Sequence, residues 1–200
     1  MVGEITSKPQ VEKIPSALIY EMDEGQPIYY RGYKDVLNKT KTLEQIMGTS
    51  ILQSLLIELI KDSIKLQLGK DYTVLSSELG IQFSKKSWRN TDIAVFLKKD
   101  LIAAKNEDKY AAIPPELVIE VDTKADLEEM PDPMDYCHTK TDQLLDFGVK
   151  QVLWIFTKTK KFMLAVPGKR WETGNWSEEM VLLNGVKLNV KNLLETYYAD

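Results

Sequence analysis

The sequence predicts an α/β protein in which a central mixed β-sheet is flanked by helices, with a β-hairpin extension near the N-terminus. Three observations carry this reading. Leu117–Val121 is an almost continuous apolar run, as expected of a central strand covered on both faces. Two segments of helical periodicity, near residues 50–68 and 136–147, stand on either side of it. Strand-like runs separate and follow those helices, in the order α, then four β, then α, then β, which is the pattern of a mixed sheet with helical cover.

Residues 1–13 are polar and lack periodicity, so they read as a loose lead-in to one domain over 14–200. Leu18–Met22 and Pro27–Arg31 flank Asp23, Glu24 and Gly25, whose turn chemistry makes the pair a hairpin. A short helix is expected around Leu43–Met47. The longest helix starts at Thr49 or Ser50, either of which can cap it, and runs to about Leu68. Leu52, Leu55, Leu56, Leu59, Ile60 and Ile64 form its apolar stripe. Ser54, Glu58, Asp62 and Lys65 fall on the opposite face, which reads as solvated.

Strands are expected at about Tyr72–Ser76, Gly80–Ser84 and Asp92–Leu97, with a polar loop over Lys85–Thr91. A charged stretch, 98–112, and the pair Pro114 and Pro115 lead to the strand Glu116–Asp122. A loop holding Pro131 and Pro133 precedes the helix Tyr136–Phe147, which Gly148 ends as its C-cap. Gln151–Phe156 reads as a buried strand, paired with Lys161–Val166 through a lysine-rich turn. Short strands near Met180–Leu183 and Val186–Asn189 and a terminal helix, Lys191–Tyr198, complete the pattern.

Composition removes several function classes. With 44% hydrophobic and 28% charged residues the chain can bury a core, and wholesale disorder is not expected. No apolar run approaches the roughly 20 residues of a membrane span, and the first fifteen residues lack the apolar centre of a secretory signal. A cytoplasmic protein with no membrane partner is therefore expected. The single cysteine, Cys137, permits no internal disulfide and fits a reducing compartment. The single histidine, His138, excludes multi-histidine metal sites, and a structural zinc site is equally implausible. No strand-turn-helix serine motif accompanies His138 to suggest a nucleophilic triad. A net charge of −4 argues against a protein that simply coats nucleic acid. It leaves room for an enzyme acting on nucleic acid, because metal-binding carboxylates raise the acidic count.

Three residues stand where they cost stability. Glu120 interrupts the apolar strand, and alternation places it on one face with Val118 and Asp122. Two carboxylates there need a cation, a proton or a lysine, unless Glu120 lies at a solvated strand end. Lys140 shares a helical stripe with Cys137, Leu144 and Phe147, so it either snorkels out or meets a carboxylate inside. Asp92 opens the apolar strand Ile93–Phe96, as a turn residue or as part of a site. Together, two carboxylates on neighbouring strands can hold Mg²⁺, and a lysine beside them can act on water and phosphate.

At this point the chain resembles the PD-(D/E)XK nuclease superfamily, and within it the Uma-type restriction endonuclease family. The resemblance runs from about Leu18 to Pro167. It is carried by Tyr20–Gly25 with Pro27–Tyr30, by Ile46–Ser50 opening the long helix, and by Asn90–Val95, similar to a Pro-Asp-Val segment. Glu116–Val121 resembles the family's glutamate strand. Lys140, Leu144–Val149 and Val152–Ile155 resemble its lysine helix, glycine stop and tryptophan strand.

The resemblance implies a restriction-endonuclease-like core. Asp92 and Glu120 would be metal ligands, with the Val121 carbonyl completing the protein's share, and Lys140 would be the catalytic lysine. Three departures bear on this. Thr91 replaces a proline. Asp122 stands where the superfamily pattern has lysine, so Lys140 or, further along the strand, Lys124 would serve instead, although Lys124 lies beyond the apolar run at a loop-side position that reads as solvated. Gln53 stands where many members have histidine, which leaves a supporting role at that position open. The implied activity is Mg²⁺-dependent hydrolysis of DNA phosphodiester bonds, with Mn²⁺ able to substitute, and a homodimer would suit two-strand cleavage. Two other readings stand beside it: a catalytically silent binding or scaffold module, and a nuclease acting on RNA.

Overall fold

Residues 14–104, 108–130 and 132–199 are described by the computed structural model. The lead-in expected over 1–13 lies outside them, as do Pro131 and residues 105–107 of the charged stretch. The hairpin joins β1 (Ile19–Asp23) to β2 (Gln26–Tyr29). Its turn needs the left-handed backbone that Gly25 adopts at φ +88°. Two short helices follow, α1 (Tyr33–Leu37) and α2 (Leu43–Met47), the second closed by a Thr42–Gln45 capping box.

Helix α3 (Ile51–Gln67) starts at Ser50, whose hydroxyl accepts the Gln53 backbone N–H at 3.1 Å. Its buried positions are Gln53, Leu56, Ile60 and Ile64. Leu52, expected on that stripe, is 37% exposed. Leu56, Ile60 and Ile64 keep the expected stripe, and in its first turn the buried position is Gln53 in place of Leu52. Ser54, Glu58, Asp62 and Lys65 are exposed, as the periodicity indicated.

The next two strands are longer than the sequence suggested. β3 (Tyr72–Ser84) and β4 (Ser87–Leu97) form one long antiparallel pair. The gap expected between two strands at 77–79 is a bulge, with Ser77 at φ +87° and Glu78 at φ +54° breaking the register inside a continuous β3. The expected loop Lys85–Thr91 is mostly strand. Its polar residues imitate a loop signal, but Arg89, Asn90 and Thr91 are buried with partners: the Asn90 side chain donates to the Tyr20 carbonyl at 2.7 Å and Thr91 to the Leu79 carbonyl at 3.2 Å.

Helix α4 (Lys98–Ala103) occupies part of the charged stretch, where no element was anticipated. All five residues of β5 (Leu117–Val121) are buried. Helix α5 (Pro133–Phe147) begins at Pro133 rather than Tyr136, because Asp132 caps it by accepting the Met134 N–H at 2.8 Å and proline suits the first helical position. Gly148 at φ +116° ends it. Then come β6 (Gln151–Phe156), β7 (Lys161–Ala165), an unanticipated β8 (Glu172–Asn175), the small pair β9 (Met180–Val181) and β10 (Lys187–Leu188), and α6 (Val190–Ala199).

The main sheet has the order β2-β1-β4-β5-β6-β7-β8, and β3 pairs with β4. β5 and β6 are parallel, with α5 as their crossover, while the other pairs are antiparallel. The sheet is thus mixed, with a packed layer on each face. Leu56, Ile60 and Ile64 of α3 cover Ile93, Val95, Ile119 and Ile155. On the other face Tyr136 and Leu144 of α5 cover Val118 and Trp154, together with Tyr20 of β1. Strand alternation sends Glu120 with Val118 to the α5 layer. No helix among the described residues is long and apolar enough to cross a membrane.

Candidate active site

Glu120 is 1% exposed and Lys140 has no exposed surface. The Lys140 ammonium, rising from α5 onto the sheet, lies 3.1 Å from Glu120 Oε1. That approach is an ion pair without hydrogen-bond geometry, and Glu120 Oε1 accepts no hydrogen bond. The lysine's directed bonds go elsewhere, to the Asn90 carbonyl at 2.7 Å and to Glu21 Oε1 at 2.9 Å.

Glu21 comes from β1 and is fully buried. Besides Lys140, its carboxylate accepts the Asn90 N–H at 3.1 Å, the Tyr136 hydroxyl at 2.8 Å and Arg89 Nη1 at 3.1 Å. Arg89, 1% exposed, also pairs with Asp23 at 3.0 Å and donates to Gln143 Oε1 at 2.9 Å. A buried carboxylate with this many donors is well satisfied.

Asp92 sits in β4 beside the end of β5, where its Oδ2 accepts the Val121 N–H at 2.7 Å. The carbonyl of the same Val121 accepts Gln53 Nε2 at 2.7 Å. Val121 is thus held by a carboxylate through its N–H and by a helix amide through its C=O. Gln53, whose role the sequence left open, spends its place on the buried stripe of α3 on that contact.

Asp92 also lines a cleft of about 380 Å³ with Thr49, Ser54, Glu58, Glu78 and Lys124. Lys124 was expected on the solvated side of a loop, but it is 8% exposed and its ammonium is paired with Glu78 of the β3 bulge. The cause lies in the backbone: Arg31 N–H donates to the Lys124 carbonyl at 2.7 Å and Tyr30 bridges to Ala125, which folds the segment against the hairpin. Asp122 was expected to share a face with Glu120. Instead β5 ends at Val121, Asp122 turns to φ +57°, and its carboxylate accepts the Thr157 N–H at 2.9 Å and the Thr157 hydroxyl. The left-handed residue breaks the alternation that would have kept the two carboxylates together.

The electrostatics follow from burial. Glu21, Asp92 and Glu120 are buried with three cations, Arg89, Lys124 and Lys140, but Lys124 is paired with Glu78 and Arg89 is shared with Asp23. Burial pushes Asp92 up to about 6, assisted by the charges of Asp122 and Glu21 and opposed by the Val121 hydrogen bond and Lys140. Burial likewise raises Glu120 well above the usual carboxylate range, with Lys140 pulling the other way and Asp92 and Glu21 adding to the rise. Burial disfavours charge on Lys140, but Glu120 and Glu21 outweigh it and hold the ammonium charged.

A family model described as "Uma2: Putative restriction endonuclease" matches residues 42–197. The chain belongs to this family. The Uma2 match covers Gln53, Asp92, Glu120, Lys124 and Lys140, and it begins after the hairpin that carries Glu21. A crystal structure of a protein described as "a putative nuclease belonging to DUF820", from Anabaena variabilis, shares the fold at a TM-score of 0.61. It covers 88% of this chain and 89% of that one at 16% identity. No curated protein matches the chain.

Sequence reasoning about this Uma2 member missed two members of the buried cluster. Glu21 interrupts a hairpin strand between Tyr20 and Met22 much as Glu120 interrupts β5, and the same test would have flagged it. Arg89 lay inside the segment read as loop.

Proposed function

We propose that this Uma2 protein is a divalent-metal-dependent endonuclease that hydrolyses phosphodiester bonds in DNA. The observation that carries the reading is the pair Asp92 and Glu120: both buried, both raised in pKa, with Glu120 Oε1 accepting no hydrogen bond. No group of three or more His, Cys, Asp or Glu side chains able to hold a metal occurs among the described residues. The donor set that fits is therefore two carboxylates and a carbonyl. Hard oxygen donors with waters completing the shell suit Mg²⁺ or Mn²⁺. Glu120 Oε1, without a hydrogen bond, and the second lone pair of the Val121 carbonyl are available to such an ion.

When bound there, the ion supplies Lewis-acid stabilisation and an acidified water. The chain's own residues do the rest. Asp92 and Glu120 hold the ion, with Val121 C=O as the third donor. Gln53 fixes that carbonyl, and the Val121 N–H fixes Asp92. Lys140, expected from sequence to act on the attacking water, has no surface open to the cleft, so we assign it to balancing the buried charges of Glu21 and Glu120. Lys124 lines the cleft, and once released from Glu78 its ammonium can stabilise charge developing on phosphate.

One observation favours a second reading, a catalytically silent nucleic-acid or protein-binding module. Glu58 and Glu78 stand on the cleft wall beside Asp92 and repel a polyanion, with Lys124 the basic residue among the lining groups. A cleavage assay separates the readings. Plasmid, single-stranded DNA and RNA are incubated with Mg²⁺ or Mn²⁺, with Asp92→Ala and Glu120→Gln as controls. Metal-dependent DNA cleavage that both substitutions abolish supports the nuclease. No cleavage of any substrate by wild type supports the silent module, and cleavage of RNA alone moves the substrate class.

A further inference from the structure

Glu21 reaches the centre of the molecule from a strand outside the span 42–197 that the family model matches. Its Oε1 accepts the Asn90 N–H and Lys140 Nζ, and its Oε2 accepts Arg89 Nη1 and the Tyr136 hydroxyl. Glu120 lies against the same Lys140 ammonium at 3.1 Å, yet its Oε1 accepts no hydrogen bond. Of two carboxylates that share one lysine, the first is saturated and the second is left with lone pairs unused.

An ammonium has three N–H bonds to give. Lys140 directs one to the Asn90 carbonyl and one to Glu21. Without the negative charge of Glu21, only the neutral Asn90 carbonyl would hold the ammonium on that side, and Glu120, the remaining charge against it, would draw it into a full hydrogen-bonded pair. A cation approaching Glu120 would then have to displace the lysine.

Resting on the reading of Asp92 and Glu120 as metal ligands, we propose that Glu21 is a positioning residue of that site. By taking the hydrogen bond of Lys140, it keeps Glu120 available to a divalent cation. The N-terminal hairpin is thereby a working part of the site, although the family match does not include it.

The test is titration calorimetry of the full chain with Mn²⁺ alone, without nucleic acid. Glu21→Gln should raise the Kd for Mn²⁺ roughly tenfold to a hundredfold, the range seen for outer-shell partners of metal sites. Glu21→Asp keeps a charge for Arg89 but shortens the reach to Lys140. It should shift Kd in the same direction, and it serves if Glu21→Gln fails to fold. Adding Lys140→Met to either variant removes the competing ammonium and should return Kd towards the wild-type value. A merely structural role for Glu21 would make the double variant bind more weakly still. Unchanged affinity in a folded Glu21 variant, or a double variant weaker than the single, overturns the inference and leaves the metal site standing. A wild type that takes up no Mn²⁺, or whose uptake survives Asp92→Ala, overturns the site and the inference with it.

Discussion

Lys140 and Glu21, 119 positions apart in the chain, meet at 2.9 Å with no exposed surface on either side chain. Glu120, on β5 and separated from β1 by β4, stands against the same ammonium. The centre of the sheet is therefore an ionic cluster, where an apolar core would have been simpler to build. Its net worth to stability is small or negative as a whole, but removing one member leaves the others unpaired in a poor dielectric.

Lys140→Met should accordingly destabilise the protein by about 3–5 kcal/mol in urea unfolding, because Glu21 and Glu120 both lose their common counter-charge. Lys140→Met combined with Glu120→Gln should cost less than the two single changes summed, by about 1 kcal/mol or more. Strict additivity would show that the contact carries no coupling.

The pH dependence of stability follows from Asp92 and Glu120. Their folded pKa values are raised, so between the unfolded value and the folded one the native state binds more protons than the unfolded state. Apo-protein stability should then fall as pH rises from about 4 through about 6, and be lowest on this account at neutral pH. For Asp92 the displacement from 3.8 to about 6 corresponds to about 3 kcal/mol. Asp92→Asn should flatten the Asp92 share of that slope in unfolding curves taken at pH 5, 6 and 7. A slope identical to wild type would mean that Asp92 titrates normally.

Metal should reverse the penalty. Saturating Mn²⁺ at about 100 times its Kd should stabilise the native state by about 2.7 kcal/mol and raise Tm. Glu120→Gln should remove that response while leaving the apo-protein at least as stable as wild type. Uptake of the ion should weaken below pH 6, where Asp92 becomes protonated. An equal Mn²⁺-induced shift in the variant would place the ion elsewhere.

Gln53→Leu keeps bulk on the buried stripe of α3 but withdraws the donor from the Val121 carbonyl. It should cost about 1–3 kcal/mol, the usual penalty for a buried acceptor left unsatisfied, measured by chemical denaturation. Gln53→Ala should cost more, since it also opens a cavity. A neutral Gln53→Leu would mean that water replaces the amide at Val121.

Lys124 and Lys140 should separate kinetically. Lys124→Ala should lower kcat for DNA cleavage about tenfold to a thousandfold, as loss of a charge-stabilising donor does, while leaving the Mn²⁺-induced rise in Tm intact. Wild-type turnover by Lys124→Ala would remove this lysine from the reaction.

The layered fold was legible because its signals are local. Leu117–Val121 announces a central strand, Ser50 and Gly148 mark helix ends, and Gly25 marks a hairpin turn. Glu120, Lys140 and Asp92 were legible as polar interruptions of apolar patterns. What stayed hidden depends on long-range pairing. Arg89 reads as loop until Glu21 and Asp23 are seen beside it, and a positive φ at Asp122 leaves no trace in alternation. Lys124 reads as solvated because the contact that buries its segment comes from Tyr30 and Arg31, far away in sequence. Gln53 was visible only as a departure from histidine, since its partner is a backbone carbonyl.

The order of the cluster along the chain has a consequence for synthesis. Glu21, Asp92 and Glu120 all leave the ribosome before Lys140, and of the two earlier buried cations Arg89 is shared with Asp23 and Lys124 is paired with Glu78. A growing chain that stops short of α5 has Glu21 and Glu120 to bury without the ammonium that both of them meet. Closing the middle of the sheet at that stage is uphill. Completion of the core is thus tied to the arrival of the crossover helix, and the acidic pocket cannot form ahead of its own counter-charge.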